Sequence, residues 1–150
     1  MMLTKRVLYK PAKAVDFDHP WQNQKLADDL IVRMRFHQGI GLAATQVGIS
    51  LRVFVMEIGG WQWRCFNPQI DDQSPELGDW AEGCLSFPKE QCIIKRPIWV
   101  DVSYQDFQGT WHSERLADIR ARCFQHELDH LSGITMHQRL EEQHAKQSGN

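Results

Sequence analysis

After Pro20, apolar residues return every three or four positions, at Leu26, Leu30 and Met34 with Ala27 and Ile31 beside them, while Asp28, Asp29, Arg33 and Arg35 fill the other side. That spacing predicts an amphipathic helix ending near Gly39, its apolar stripe turned to a core. The pattern then changes. Residues 51–58 are rich in Val, Phe and Ile, stop at Gly59-Gly60 and resume at 61–66, which predicts a β-hairpin closed by a glycine turn. A second hairpin is expected further on, with one strand over 92–104, a turn at 106–109 and a return over 110–115. Pro97 lies inside the first of these strands, and because proline lacks the ladder donor it marks an edge or a bulge there.

The last element opens near Leu116 and runs to about Leu131, with Gly133 placed to end it. At ~100° per residue, Ile119, Cys123, His126 and His130 share one narrow stripe of this helix. Ala117, Ala121, Phe124, Leu128 and Leu131 gather opposite, which leaves Asp118, Arg122, Gln125 and Asp129 as a wet sector. A helix with two buried sides is expected to lie between a core and a site. Beyond Leu140 the tail is polar and short. Strands flanked by two long helices, without regular alternation, predict an α+β fold: mainly antiparallel sheets packed around a central C-terminal helix. At 150 residues the expectation is a single domain over 1–150, with no internal repeat and no linker.

Composition narrows the function classes. The chain is 42% hydrophobic and 24% charged, ordinary values for a soluble fold, so function must come from a site. Its 17 basic and 19 acidic residues are interspersed, and nothing asks for nucleic acid or an anionic membrane. No apolar run approaches the roughly 20 residues that span a bilayer, and residues 1–10 lack a secretory segment. A cytoplasmic location is expected. Cys65, Cys84, Cys92 and Cys123 stand at irregular spacings without a C-x-x-C pair, so they read as thiols, and Cys65, Cys92 and Cys123 as small buried hydrophobes.

The chemistry sits on the last helix. His126-Glu127-Leu128-Asp129-His130 is an H-E-x-x-H run, whose i, i+4 spacing stacks two imidazoles where both reach one metal ion. Glu127, one position round, reaches a water on that ion without being a ligand. A catalytic site of this kind wants a third protein ligand and an open position. Cys84 is the best candidate, because Gly83 before it lets the backbone approach closely, although a lone Gly-Cys can also be a buried thiol in a turn. A third unusual stretch, Gly39-Ile40-Gly41-Leu42-Ala43-Ala44-Thr45-Gln46, combines small residues with a side-chain amide donor. No Lys-Ser or Lys-Thr follows it, so it is not a phosphate loop.

Together, GIGLAATQ at 39–46, EGCLS at 82–86 and QHELDH at 125–130 resemble the three signature motifs of peptide deformylases, in that family's order and with comparable spacing. Supporting similarity runs through Ile94-Lys95-Arg96-Pro97 and Ala121-Arg122-Cys123-Phe124. The resemblance implies one divalent transition metal, ferrous iron in cells with nickel or zinc able to substitute, held by Cys84, His126 and His130. It implies removal of the formyl group from N-formylmethionyl peptides or nascent chains, with Glu127 moving protons and Gln46 and the Leu85 backbone N–H as oxyanion donors. It places the extended peptide against backbone near Ile40, Gly41 and Gly83. Ile119 and Cys123, beside His126 on the helical stripe, then form the natural wall of a methionine pocket, with Ile40 contributing.

Two departures stand out. Trp80 and Ala81 precede Glu82 where many relatives have an aliphatic and an acidic residue, which reshapes the pocket rim. The chain also stops soon after Leu140, where many bacterial relatives continue into a helix that docks on the ribosome, so only a weakened, transient ribosome contact is expected. Three other readings stay open at this point. One is an H-E-x-x-H metallopeptidase cutting internal peptide bonds, against which Cys84 argues. The others are a catalytically silent peptide-binding or metal-binding module and a metal-free hydrolase with Cys84 as nucleophile.

Overall fold

Pro20 carries the φ of a first helical turn, and α1 (Pro20–Phe36) begins on it in the computed structural model, which describes residues 3–5 and 7–149. The expectation that residues 1–10 hold no secretory segment rests partly on Met1, Met2 and Arg6, which lie outside the described residues. After α1 come β1 (Gly41–Ala43), a single 3-10 turn (Ala44–Val47), β2 (Val53–Ile58), β3 (Trp61–Gln73), β4 (Leu77–Cys84), β5 (Phe87–Pro97), β6 (Trp99–Gln105) and β7 (Trp111–Ala117). Two helices close the described chain, α2 (Asp118–Leu131) and α3 (Met136–Ser148). All strand pairings within the sheets are antiparallel, in a five-stranded sheet ordered β1-β2-β3-β6-β7 and a two-stranded sheet of β4 and β5. The α+β architecture expected from the pattern is therefore the observed one.

Val53, Phe54, Val55 and Met56 are all fully buried because β2 is covered on both faces. Val53 and Val55 pack with Ala27, Leu30, Ile31 and Met34 of α1. Phe54 and Met56 turn to the other side, where Phe54 meets Phe124 of α2 edge-on at a ring separation of 5.0 Å. A fully buried aromatic of this kind typically stabilises a domain by about 3–5 kcal/mol relative to alanine. Strands from the large sheet and the β4-β5 hairpin thus enclose α2, which carries both histidines of the H-E-x-x-H run.

Four details differ from the pattern-based expectation. The expected strand over 92–104 is two strands in different sheets, divided at Ile98 immediately after Pro97. Ser74 fixes that division: its Oγ accepts from Ile98 N at 2.8 Å and donates to Glu76 O. The ligand helix starts at Asp118 and not near Leu116, since Leu116 pairs with Val100 in β7. Strand β4 was not expected, because Leu77-Gly78-Asp79-Trp80-Ala81 are largely exposed and show no alternation. Helix α3 extends through what reads as a polar tail, with Met136 as its fully buried residue and an N-cap in which Thr135 accepts from Gln138 N.

Gly133 ends α2 as expected, with φ 77°. Its N–H bonds to His130 O at 3.0 Å while Ile134 N bonds to Asp129 O at 2.9 Å, the paired bonds of a Schellman turn. The chain reverses there, and α3 returns alongside α2 and β5.

Candidate metal centre

The i, i+4 spacing on α2 brings His126 Nε2 and His130 Nε2 to 3.2 Å, and the β4-β5 turn carries Cys84 Sγ to 3.4 Å from His130 Nε2. All three donor atoms lie within 4.8 Å of one another, and they are the one such group among the described residues. This arrangement fits an ion. His126 gives its Nδ1 to Glu82 Oε1 at 2.9 Å, which directs the lone pair of Nε2 toward Cys84 and His130. Burial and then the nearby His126 and Arg96 charges hold the His130 pKa well below its ordinary value, so that ring is neutral and can ligate. Burial also pulls the His126 pKa down, but the Cys84 sulfur and Glu82 outweigh it and push it up to about 10. One sulfur and two nitrogens form a donor set that suits borderline transition metals.

Glu127 is fully enclosed beside this group. Its Oε2 has no hydrogen-bond partner among the described residues, and burial pushes the carboxyl up to about 7 against the pull of His126. Gln46 is clamped through its oxygen, which accepts from Ala43 N at 2.9 Å, so its amide faces Ser86 Oγ at 3.0 Å and Cys84 Sγ at 3.5 Å. Leu85 stands in the two-residue turn after Cys84, with its side chain over Gly39. Gly83 lies at a register shift where Pro88, Lys89 and Glu90 loop out of β5.

A cavity of about 900 Å³ opens onto the group. Ile40, Gly41, Gly83, Ile119 and Cys123 all line it, as do Gln46, Cys84, Leu85, His126 and Glu127, and Trp80 stands half-exposed at its rim. The structure thus brings together every site residue read from the sequence. His130 is the one ligand candidate outside the cavity wall, fully buried behind Cys84. His37, just past the end of α1, also borders the cavity.

The model of the polypeptide deformylase family matches residues 1–146 of this chain. The chain belongs to the polypeptide deformylase family. A peptide deformylase of Thermotoga neapolitana is 43% identical over 135 residues, covering 89% of this chain and 81% of that protein. The crystal structure of peptide deformylase from Thermotoga maritima superposes with a TM-score of 0.87 at 40% identity, covering 93% of this chain and 98% of that one. A probable peptide deformylase from Synechococcus phage S-SSM7 gives 0.84 at 35% identity, over 89% and 93% of the two chains. The H-E-x-x-H metallopeptidase reading is set aside by this membership.

Around the deformylase motifs lies a charge network that the sequence reading missed. Gln125 and Asp129, expected to be wet, are buried, because Arg96 of β5 reaches Asp129 Oδ2 at 2.8 Å and Gln125 donates to Pro97 O at 3.1 Å. Arg96 also grips Glu82 through two bonds of 2.5 and 2.9 Å, and Arg122 reaches Glu82 at 2.9 Å. Burial alone would raise the Glu82 pKa, but its bonds to His126 and Arg96 hold it far below the usual carboxylate range. One signal was available: Arg96 shares the inward register of β5 with Cys92 and Ile94, an unusual place for a guanidinium.

Proposed function

We propose that Cys84, His126 and His130 hold the metal ion at which this chain removes the N-formyl group from N-formylmethionine at the start of nascent proteins, with Glu127 as its general base. The activity follows from family membership: the chain is a metal-dependent amide hydrolase that releases formate. The residue assignment rests above all on the convergence of one sulfur and two ring nitrogens beside a buried carboxylate with a free oxygen.

When bound, the ion supplies an acidified water and a positive charge for the formyl oxygen. Glu127 accepts the proton of the attacking water through Oε2 and delivers it to the leaving nitrogen as the formyl C–N bond breaks. The hydroxyl stays on the formyl carbon, so formate and a free amino terminus result. Gln46 Nε2–H and the Leu85 backbone N–H donate to the formyl oxygen as it becomes negative; removing one such donor typically costs about 3 kcal/mol of transition-state stabilisation.

The peptide lies extended between two sheet edges. Among the described residues β1 pairs only with β2 and β4 only with β5, so Gly41 and Gly83 lie on strands with an outer edge available for strand addition, and Ile40, whose carbonyl already accepts from Glu57 N, stands beside the first of them. The methionine side chain enters beside Ile119, Cys123 and Ile40. The cellular ion is ferrous iron, with nickel or zinc able to substitute. The chain acts as one catalytic domain in the cytoplasm; among its described residues no helix is long and apolar enough to cross a membrane. A transient contact with a ribosome belongs to this reading, and it would fall to the outer side of α3, since the inner side is bound to Asp129 and β5.

Metal analysis with formate release from a formyl-Met peptide tests this reading. A stoichiometric transition metal and formate production are expected, and Cys84→Ser should lose most of both. Unchanged metal content in that variant would sink the ligand assignment. The iron form should also lose activity in air while the nickel form persists, because ferrous iron and its thiolate are both oxidisable.

A further inference from the structure

Helix α3 reaches the ligand helix through one arginine. Arg139 forks onto Asp129, with Nη2 2.7 Å from Oδ1 and Nε 3.0 Å from Oδ2. Asp129 lies one residue before the ligand His130, and its Oδ2 also accepts Arg96 Nη1 at 2.8 Å. Arg96 turns Nε and Nη2 to the two oxygens of Glu82, and Glu82 Oε1 fixes Nδ1 of the ligand His126 at 2.9 Å. A continuous line of bonds therefore runs from α3 to an imidazole of the metal centre. A second contact supports the same path: Gln143 of α3 accepts from Lys95 N and donates to Ile93 O, pinning the stretch of β5 that carries Arg96.

We propose that Arg139 is a positioning residue, through which α3 sets the orientation of His126 and hence the hold on the metal. The inference rests on the metal reading above. Its physical basis is the sharing of Asp129, whose side chain is only 11% exposed. With Arg139 removed, a buried carboxylate keeps Arg96 as its sole guanidinium partner, so Arg96 is drawn toward Asp129 and its fork on Glu82 loosens. Glu82 then holds the His126 ring less firmly. Lysine in place of Arg139 keeps the charge but cannot reproduce the two-pronged geometry.

The test uses the full chain loaded with cobalt(II), reading the dissociation constant by competition with a chelator and the thiolate-to-cobalt absorption band. Arg139→Ala should weaken cobalt about tenfold, the lower end of what loss of outer-shell support typically costs, and should shift the band. Arg139→Lys should weaken it severalfold, and it carries the test if the alanine variant does not fold. Leu140→Ala, which trims the apolar contact of α3 without touching the ion pairs, should lower thermal stability while leaving constant and band at wild-type values. Wild-type binding and spectrum in folded Arg139 variants would overturn the proposal, as would equal weakening in Leu140→Ala. Failure of the metal reading looks different: the wild type would take up no stoichiometric cobalt, or Cys84→Ser would retain the band.

Discussion

Gly41 and Glu127 are in such close contact that a Cβ on Gly41 would lie 2.7 Å from Glu127 Oε1, and 2.8 Å from Cys123 Sγ. Strand β1 can thus pass the ligand helix only because this residue has no side chain. Gly41→Ala must push the carboxylate or the strand aside. A displacement approaching 1 Å at a reacting group can cost on the order of 10²-fold, so kcat/KM for formyl-Met peptides should fall by about that factor. Metal content should be unchanged, since the three atoms nearest that Cβ belong to Glu127 and Cys123 and not to a ligand. Steady-state kinetics alongside metal analysis checks this, and near-normal turnover would show that Glu127 has room to spare.

Glu127→Gln separates proton transfer from folding. The amide nearly matches the carboxylate in size but cannot take a proton from water, so turnover should fall by roughly 10²–10⁴-fold. Metal and thermal stability should stay close to wild type or rise, because a buried carboxylate with an unpartnered oxygen is replaced by a neutral group. A fully metallated Glu127→Gln enzyme with near-normal turnover would remove Glu127 from the role of base.

What the sequence made legible was whatever local spacing dictates. The two imidazoles meet because four residues make about one helical turn, and the stripe of Ile119, Cys123 and His126 faces the cavity for the same reason. Cys84 needed the motif around it, since its approach to His130 depends on a hairpin whose first strand is exposed and unpatterned. The break after Pro97 and the burial of Asp129 were hidden for a different reason. Both depend on long-range partners: Ser74 lies 24 residues from Ile98, and Arg96 lies 33 from Asp129. Helix α3 escaped notice because its apolar contacts come from Met136 and Leu140 near its start, and ion pairs and a side-chain amide hold it beyond them.

Gly133 offers a stability test remote from the cavity. It combines φ 77° with crowding, a Cβ there lying 2.8 Å from the carbonyl carbon and oxygen of Tyr9. Gly133→Ala should cost the strain of a left-handed alanine together with a backbone clash, about 2–3 kcal/mol in all. For a domain of this size that corresponds to a Tm lowered by roughly 5–10 °C in calorimetry. A Tm within a degree of wild type would mean that the turn and the Tyr9 segment adjust freely.

Substrate choice follows from the same helical stripe. Cys123 is buried in the cavity wall three residues before the ligand His126, with its Sγ 3.8 Å from Ile40 O, and Ile119 lines the cavity one turn earlier. Small and aliphatic groups there leave room for a long unbranched side chain, whose burial contributes on the order of 2 kcal/mol. Formyl-Met peptides should therefore be processed markedly faster than formyl-Ala or formyl-Asp peptides, because alanine leaves the pocket unfilled and aspartate would bury a charge. Residues further along should matter little, since backbone contacts do not distinguish them. Cys123→Phe projects a ring into this space. It should suppress kcat/KM for formyl-Met peptides at least tenfold, about 1.4 kcal/mol, with the metal retained. The shorter formyl-Ala side chain needs less of the pocket, so its lower rate should fall less and the ratio between the two peptides should shrink. Measuring kcat/KM for the three peptides on both proteins decides the matter. If the wild type is indifferent to the first side chain, or the ratio survives the substitution, the methionine pocket lies elsewhere along the cavity, with Trp80 the next wall to test.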